Sequence, residues 1–379
     1  MRILVISDLP QFVSGGAEMQ AMRLIEAWIA QGHEVICLGR RMGAAPVNAG
    51  SRQIETHRIR TLNWLGRPGR ALSYAWSLAL LLVKLRRRFD VVYTRFLNEA
   101  AATTALLRQV GLIDAPLVAT PATVRGDGDV RMLQALPFSH QIIDLLDRQC
   151  GAINLIADEM KDELLQAGFG GSNLTHIPNG IAVRPLNRRE ASGPVRFVAV
   201  GRLVSAKAYD VLLQSLASIR TQLHPGQFTI IGNGPDARAL HDMTEALGLS
   251  EYVVWKGELD QPSIQRELSA ADIYLLHSRY EGLSNAGLEA MERALPMIIS
   301  RCGGLDLHVD AGMGWRVVPG DSASLAQAIS GAMESTRDEL HEKGLRCRRL
   351  IESKFDIEVT SARYTILFET LQGRERTFT

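Results

Sequence analysis

The stretch that decides the fold begins Ile273-Tyr274-Leu275-Leu276, an apolar run of strand length, and continues through the polar turn His277-Ser278-Arg279-Tyr280-Glu281-Gly282. It ends in Leu283-Ser284-Asn285-Ala286-Gly287-Leu288-Glu289-Ala290-Met291-Glu292, where the apolar residues fall at helical spacing. A strand feeding a helix through a short loop is half of a βαβ unit, and ligands of open parallel sheets sit in the loops at the strands' carboxyl ends. Ser284 or Asn285 is expected to cap the helix, with its first free N–H groups turned toward such a ligand. If residues 281–289 were all helical, Glu281 and Glu289 would stand about 12 Å apart. That is too far for an acid/base dyad but suits two separate places on one extended ligand.

The same strand-and-helix beat runs through the chain. Apolar strands are expected at residues 3–7, 35–38, 91–93, 117–120, 152–156 and 174–177, and after a break at 196–200, 228–231, 253–255, 273–276, 297–299 and 315–318. Residues 181–194 lose the apolar period and are rich in Arg, Pro, Ser and Gly, as a linker would be. The reading is therefore α/β, two Rossmann-like domains with parallel sheets facing across a cleft, one over residues 1–185 and one over 186–355. At 379 residues, two cores are expected on size alone. Beyond Asp321 the sequence reads as helical to about Leu371, with a break near Phe355.

Composition excludes several classes. A net charge of +1 with 22% charged residues gives no basis for a nucleic-acid partner. The four cysteines (Cys37, Cys150, Cys302, Cys347) are scattered, which suits small core residues in a reducing, cytoplasmic setting. Met1 leads straight into an apolar strand without the features of a secretory signal. The run Ala71–Val83 is shorter than the roughly 20 residues a bilayer requires and is read as a buried helix. Arg58, Arg60, Arg67, Arg70 and Arg86-Arg87-Arg88 make the N-terminal half locally basic, a surface suited to anionic lipid and a lipid-linked acceptor. Arg86–Arg88 equally suit the end of a helix.

Other strand ends carry candidate anion contacts. Ser14-Gly15-Gly16 precedes the first helix, where glycines let backbone N–H groups approach an anion. Gly201-Arg202-Leu203, with Lys207 beyond it, offers a planar and a point cation for a diphosphate. Gly232-Asn233-Gly234-Pro235 is a tight turn, either structural or laid against a ligand. Asp127 and Asp129 have metal-ligand spacing but fall in a glycine-containing loop, so no metal is assigned and a structural or acceptor role is preferred.

Taken together, Gly15-Gly16-Ala17-Glu18, Gly32-His33-Glu34-Val35, Pro178-Asn179-Gly180, Gly201-Arg202-Leu203 with Lys207, Gly232-Asn233-Gly234-Pro235 and the pair Glu281/Glu289 resemble, in order, the retaining glycosyltransferases of the GT4 family, which have the GT-B fold. The resemblance implies transfer of a sugar from a nucleotide-diphosphate carrier, UDP by base rate, to a glycan or lipid-linked acceptor of bacterial envelope polysaccharide or lipopolysaccharide, with no cofactor or metal. It implies that Arg202 and Lys207 bind the diphosphate, Glu281 and the amides of Gly282, Leu283, Ser284 and Asn285 the donor sugar, and Glu289 the ribose. Gly15 and Gly16 would approach the phosphate or the acceptor, and Gly232 and Gly234 would line the donor site. The family's final helix crosses back to the N-terminal domain, a role Ile357–Leu371 would fill. Two positions depart from the pattern: Ala208 stands where glycine usually follows the lysine, and Thr120-Pro121-Ala122-Thr123 lacks the usual histidine. Rival readings are a sugar-nucleotide epimerase of the same fold and a non-catalytic sugar-nucleotide sensor. A dinucleotide dehydrogenase is disfavoured by the absence of Gly-x-Gly-x-x-Gly after the opening strand.

Overall fold

The computed structural model describes residues 1–376 apart from 14, 44–45, 51, 63, 65, 123–127 and 187–192, and the backbone alone for 67–68 and 374–376. Ser14, Thr123, Asp127 and the Arg67 side chain thus lie outside the described residues.

The N-terminal sheet is built from β1 (Arg2–Ile6), β2 (Glu34–Gly39), β3 (Val47–Ala49), β4 (Arg52–Arg58), β5 (Val91–Arg95), β6 (Leu117–Thr120), β7 (Cys150–Leu155) and β8 (Leu174–His176), in the order β3-β4-β2-β1-β5-β6-β7-β8. All its pairings are parallel except β3 with β4. Its helices are α1 (Gly16–Ala30), α2 (Gly66–Leu85), α3 (Glu99–Gln109), α4 (Asp129–Gln134), α5 (Ser139–Gln149) and α6 (Met160–Ala167). Alternate residues of each central strand feed two cores. Leu4, Ile6, Leu38 and Val92 pack into one; Ile3, Val5, Cys37 and Tyr93 pack into the other. This is why β1 reads as an unbroken apolar run instead of an alternating one.

The second sheet contains β9 (Phe197–Val200), β10 (Phe228–Ile231), β11 (Val253–Gly257), β12 (Ile273–Leu276), β13 (Met297–Ser300) and β14 (Gly314–Val317), all parallel, in the order β11-β10-β9-β12-β13-β14. It carries α7 (Tyr209–Ser218), α8 (Ala237–Ala246), α9 (Gln261–Ala270), α10 (Asn285–Glu292), α11 (Ser322–Glu334) and α12 (Arg337–Leu350). One wide turn over Ile351–Phe355 leads to α13 (Ile357–Arg376).

By contacts the chain divides into Val183–Asp356 as one unit, and Met1–Ala182 with the chain from Ile357 onward as the other. Aromatic packing fastens α13 to the N-terminal unit. Trp28, Tyr93, Tyr364 and Phe368 form a cluster with ring centres 5.4 to 5.9 Å apart. The Tyr364 hydroxyl meets Thr120 Oγ1 at 3.2 Å and accepts from Asn154 Nδ2 at 2.7 Å, so this buried phenol is satisfied. Pro178-Asn179-Gly180 serves the same junction. A side chain at Gly180 would stand 2.7 Å from Ile357 Cα, and the Gln20 carboxamide pairs with both backbone groups of Gly180 at 2.9 Å. His33 ties Met1 to Thr365 at 3.3 Å on each side.

Two expectations are corrected. The run Ala71–Val83 is helical, within α2, but it is not a buried helix: Leu78 and Leu82 face the core while Leu72, Trp76 and Leu80 are exposed. Total hydrophobicity does not equal burial here, since this helix is apolar on the side away from the core as well. The other correction is β3 and β4, which no apolar run announces. In Arg52-Gln53-Ile54-Glu55-Thr56-His57-Arg58 only Ile54 is buried, as a strand near a sheet edge allows.

Candidate functional site

In the second sheet the strand order reverses between β9 and β12: β9 continues to β10 on one side and β12 to β13 on the other. Loops leaving two adjacent strands in opposite directions open a crevice at their carboxyl ends. Arg202 and Lys207 follow β9 and Glu281 follows β12, so strand order alone brings these three to one end of one sheet.

Lys207 Nζ forms an ion pair with Glu281 Oε2, and Ser278 Oγ donates to the same oxygen at 3.1 Å. The two loops are stitched together behind this pair. Arg279 holds Asp210 through two bonds of 3.0 and 2.6 Å, donates to the Ser205 carbonyl at 2.5 Å, and its backbone N–H reaches the Ala206 carbonyl at 2.8 Å. Arg202 is exposed, and its side chain makes no hydrogen bond or ion pair among the described residues, leaving five donors available. Ala208, buried directly after Lys207, has φ +57°. Left-handed backbone costs a non-glycine residue about 1–2 kcal/mol, which explains why glycine is the expected residue here.

The glycines separate into two kinds. A Cβ on Gly232 (φ +142°) would stand 1.9 Å from the Gly201 carbonyl oxygen, and one on Gly234 would stand 2.2 Å from that of Leu203. These glycines let the loop after β10 lie flat on the loop after β9, where the Leu203 N–H donates to the Asn233 carbonyl at 2.9 Å. Gly282 differs, since a Cβ there would meet nothing within 4 Å. Residues 303–304, not singled out from sequence, support it from behind: Gly303 and Gly304 have φ +97° and +79°, and a Cβ on Gly304 would stand 2.2 Å from the Gly282 carbonyl oxygen. The signal was present as the paired glycines after the Met297–Ser300 strand.

Ser284 is the N-cap of α10, its Oγ accepting from the Gly287 N–H at 3.2 Å. Leu283 and Ser284 are buried while Asn285 is partly exposed. Because α10 starts at Asn285, the fully helical path assumed between Glu281 and Glu289, and the 12 Å drawn from it, do not apply; the first four residues are loop. Glu289 is buried inside the helix and accepts from Gln265 Nε2 at 3.3 Å, and Gln265 also receives Arg293. His277, beneath the loop, stacks its edge on Tyr209 at 5.1 Å, and neither ring nitrogen has a partner among the described residues. Burial, with Lys207 nearby, holds its pKa down to about 3, so the ring is neutral at ordinary pH.

The candidates in the N-terminal unit look different. Gly15 is the N-cap of α1 without a side-chain cap bond, and the Glu18 carboxylate lies over it, 2.1 Å from where a Gly15 Cβ would be. Burial, reinforced by Asp8, raises the Glu18 pKa above the usual carboxylate range. Arg95 closes β5 almost fully buried and donates to Asn179 Oδ1 at 3.0 Å. Asp129 is the first residue of α4 and accepts from the Ala122 N–H at 2.7 Å; burial pushes its pKa up to about 6. It organises the Thr120-Pro121-Ala122 turn where the family pattern has a histidine. Among the described residues no three of His, Cys, Asp and Glu are grouped to hold a metal ion, and no helix is long and apolar enough to cross a membrane.

Two family models match the chain: Glycosyltransferase Family 4 over residues 14–184 and Glycosyl transferases group 1 over residues 194–335. Glycogen synthase of Mycobacterium tuberculosis is 28% identical across 99% of this chain and 96% of its own length. Among solved structures, HepE of Anabaena in complex with UDP-glucose matches with a TM-score of 0.77 at 18% identity, covering 98% of this chain and all of that one. The lipopolysaccharide outer core galactosyltransferase WaaB matches with a TM-score of 0.67 at 19% identity, covering 98% and 99%. With two parallel sheets of this topology, both halves matched in order and neighbours of the GT-B class, the chain belongs to the group 1, family 4 glycosyltransferases and uses a nucleotide sugar.

Proposed function

We propose that this chain is a metal-independent, retaining hexosyltransferase. It moves a sugar from a UDP-sugar to a hydroxyl of a growing glycan or lipid-linked saccharide in envelope polysaccharide or lipopolysaccharide assembly, at the cytoplasmic face of a membrane. The observation that carries the reading is the Lys207–Glu281 pair, fixed at the β9/β12 switch point beside the exposed Arg202. Arg202 and Lys207 take the charge that develops on the departing diphosphate. Glu281, with the amides of Gly282 to Asn285, takes the donor sugar's hydroxyls, and Glu289 takes the ribose. The acceptor oxygen attacks the anomeric carbon, the bond from that carbon to the diphosphate oxygen breaks, and the acceptor proton passes to the leaving phosphate, on the face the diphosphate leaves. Gly15 and Gly16 serve the acceptor; the Glu18 carboxylate over Gly15 favours a hydroxyl there over a phosphate.

UDP is supported by the UDP-glucose complex of HepE, and a carbohydrate acceptor by the names of glycogen synthase and the outer core galactosyltransferase. The test is thermal stability against UDP, GDP, ADP and their sugars with EDTA present, for the wild type and Arg202→Ala. Expected is a selective rise with one nucleotide, preserved in EDTA and lost in the variant; at a hundred dissociation constants it is worth about 2.7 kcal/mol. A rise abolished by EDTA overturns the metal-independent reading, and no rise with any nucleotide overturns the donor site.

A further inference from the structure

Helix α2 turns Leu78, Leu82 and Leu85 into the N-terminal core and leaves its opposite side exposed among the described residues. On that side Leu72, Trp76 and Leu80 are 72%, 70% and 57% exposed, at intervals of four residues, so they form one stripe along the helix. Lys84 continues the stripe one turn further and is exposed. The segment before the helix adds to it. The Arg60 N–H donates to Ser77 Oγ at 2.9 Å and the Leu62 N–H to Ser73 Oγ at 3.0 Å, tying this strap along the flank of α2. The strap brings Leu62 and Trp64, the latter 78% exposed, to the same neighbourhood. Two exposed tryptophans and three leucines in one place exceed the scattered apolar residues of an ordinary soluble surface.

Charge decides what covers this face. From Arg58 to Phe89 the chain contains no Asp or Glu, while Arg58, Arg60, Arg67, Arg70, Lys84, Arg86, Arg87 and Arg88 all fall within it. Some of these are engaged locally: Arg88 holds Glu55 through two bonds of 2.8 and 2.6 Å, and Arg86 donates to the Val83 carbonyl at 3.1 Å. Arg60, Arg70 and Lys84 are exposed beside the stripe. A second copy of this face would bring cations against cations, so self-association through it is disfavoured. An apolar stripe with tryptophans and basic flanks, on a segment with no acid of its own, is complementary to a surface that is apolar inside and negative outside. Helix α2, at 20 residues, is not apolar enough along its length to cross a bilayer.

We propose that α2 and the strap before it are a membrane-docking element that lies in the headgroup region of an anionic lipid surface, with Trp64, Leu72, Trp76 and Leu80 inserted and Arg60, Arg70 and Lys84 on the headgroups. The inference deepens the reading of a membrane-bound acceptor and rests on it only for its biological sense, since the docking itself needs no sugar donor. It gives the N-terminal unit a fixed face toward the lipid.

The test is sedimentation of the full chain with acceptor-free vesicles of phosphatidylcholine alone or mixed equally with phosphatidylglycerol, for the wild type and Trp76→Ser/Leu80→Ser. These residues are exposed, so the variant keeps its melting temperature. Expected is binding to the anionic vesicles weakened at least about tenfold by the double substitution, weakened also by raised salt, and feeble with phosphatidylcholine alone. Brominated lipids should quench tryptophan fluorescence in the wild type and much less in Trp64→Phe/Trp76→Phe. Equal binding by wild type and double variant, or none to anionic vesicles, overturns the proposal. So does a vesicle-free dimer that the double substitution abolishes, read by light scattering, since the stripe would then be a protein interface. Donor binding is read separately by the nucleotide stability measurement, so docking without nucleotide binding sinks the enzymatic reading alone, and nucleotide binding without docking sinks this one alone.

Discussion

The N-termini of α1 and α10 begin from the same sequence idea, glycines and a small cap after a parallel strand, and end differently. At α10 the cap Ser284 turns inward to the Gly287 N–H, and the space at Gly282 is open. At α1 the cap is Gly15 itself, and the chain's own Glu18 carboxylate lies where an anion would approach. A positive helix end attracts negative charge from any source, including three residues further along the same helix. Glycines before a helix therefore mark a place an anion can reach, while the neighbouring side chains decide whether that place is still available. The negative group beside α10, Glu281, is held by Lys207 and Ser278.

The strongest way to break this contrast is to disarm the α10 side. Glu281→Gln and Lys207→Ala should each lower kcat about 10²- to 10³-fold, by analogy with removing one fixed transition-state contact. A loss under tenfold would move the chemistry away from β9 and β12. Gly234→Ala should destabilise the chain by about 2–3 kcal/mol in urea unfolding, because its Cβ strikes the Leu203 carbonyl. Gly282→Ala should stay within about 0.5 kcal/mol and yet slow transfer. If both variants lost stability equally, the division into packing glycines and an open one would fail.

How the two regions read in sequence follows from the same contrast. Strands such as Leu117–Thr120, Phe228–Ile231 and Ile273–Leu276 were visible to the residue because both faces of a parallel sheet are buried. The loops bearing Arg202, Lys207 and Glu281 were found by their position after those strands. The Lys207–Glu281 pairing and the Arg279–Asp210 clasp were not legible, since they depend on which strands become neighbours, and β9 and β12 are separated by two intervening strands in the chain. The exposed side of α2 was missed for another reason: apolar period locates a face but not what covers it.

His277 supplies a pH-dependent measure of how dry the space beneath the loop after β12 is. Its folded pKa of about 3 lies below the ordinary 6.5, so on acidification the unfolded chain takes up the proton first. Stability should fall between pH 6.5 and 3 by about 1.4 kcal/mol per unit from this residue. His277→Phe should flatten that slope, and an unchanged slope would mean that the ring is already hydrated. The smallest effect belongs to α1. Glu18→Ala should tighten binding of inorganic phosphate to the full chain by about two- to fivefold, measured by calorimetry. No change would mean that the carboxylate does not screen that helix end.

The return of α13 to the N-terminal unit also sets an order of events on the ribosome. Trp28 and Tyr93 are synthesised long before Tyr364 and Phe368, the rings that complete their cluster, and β6 and β7 wait equally long for the phenol that bonds Thr120 and Asn154. The unit that begins first is thus finished last, while Val183–Asp356 is continuous and holds all its own strands as soon as it emerges. A nascent chain halted before Ile357 would carry a complete second unit and an N-terminal unit with an unsealed aromatic core, making that halted chain the natural client of a chaperone.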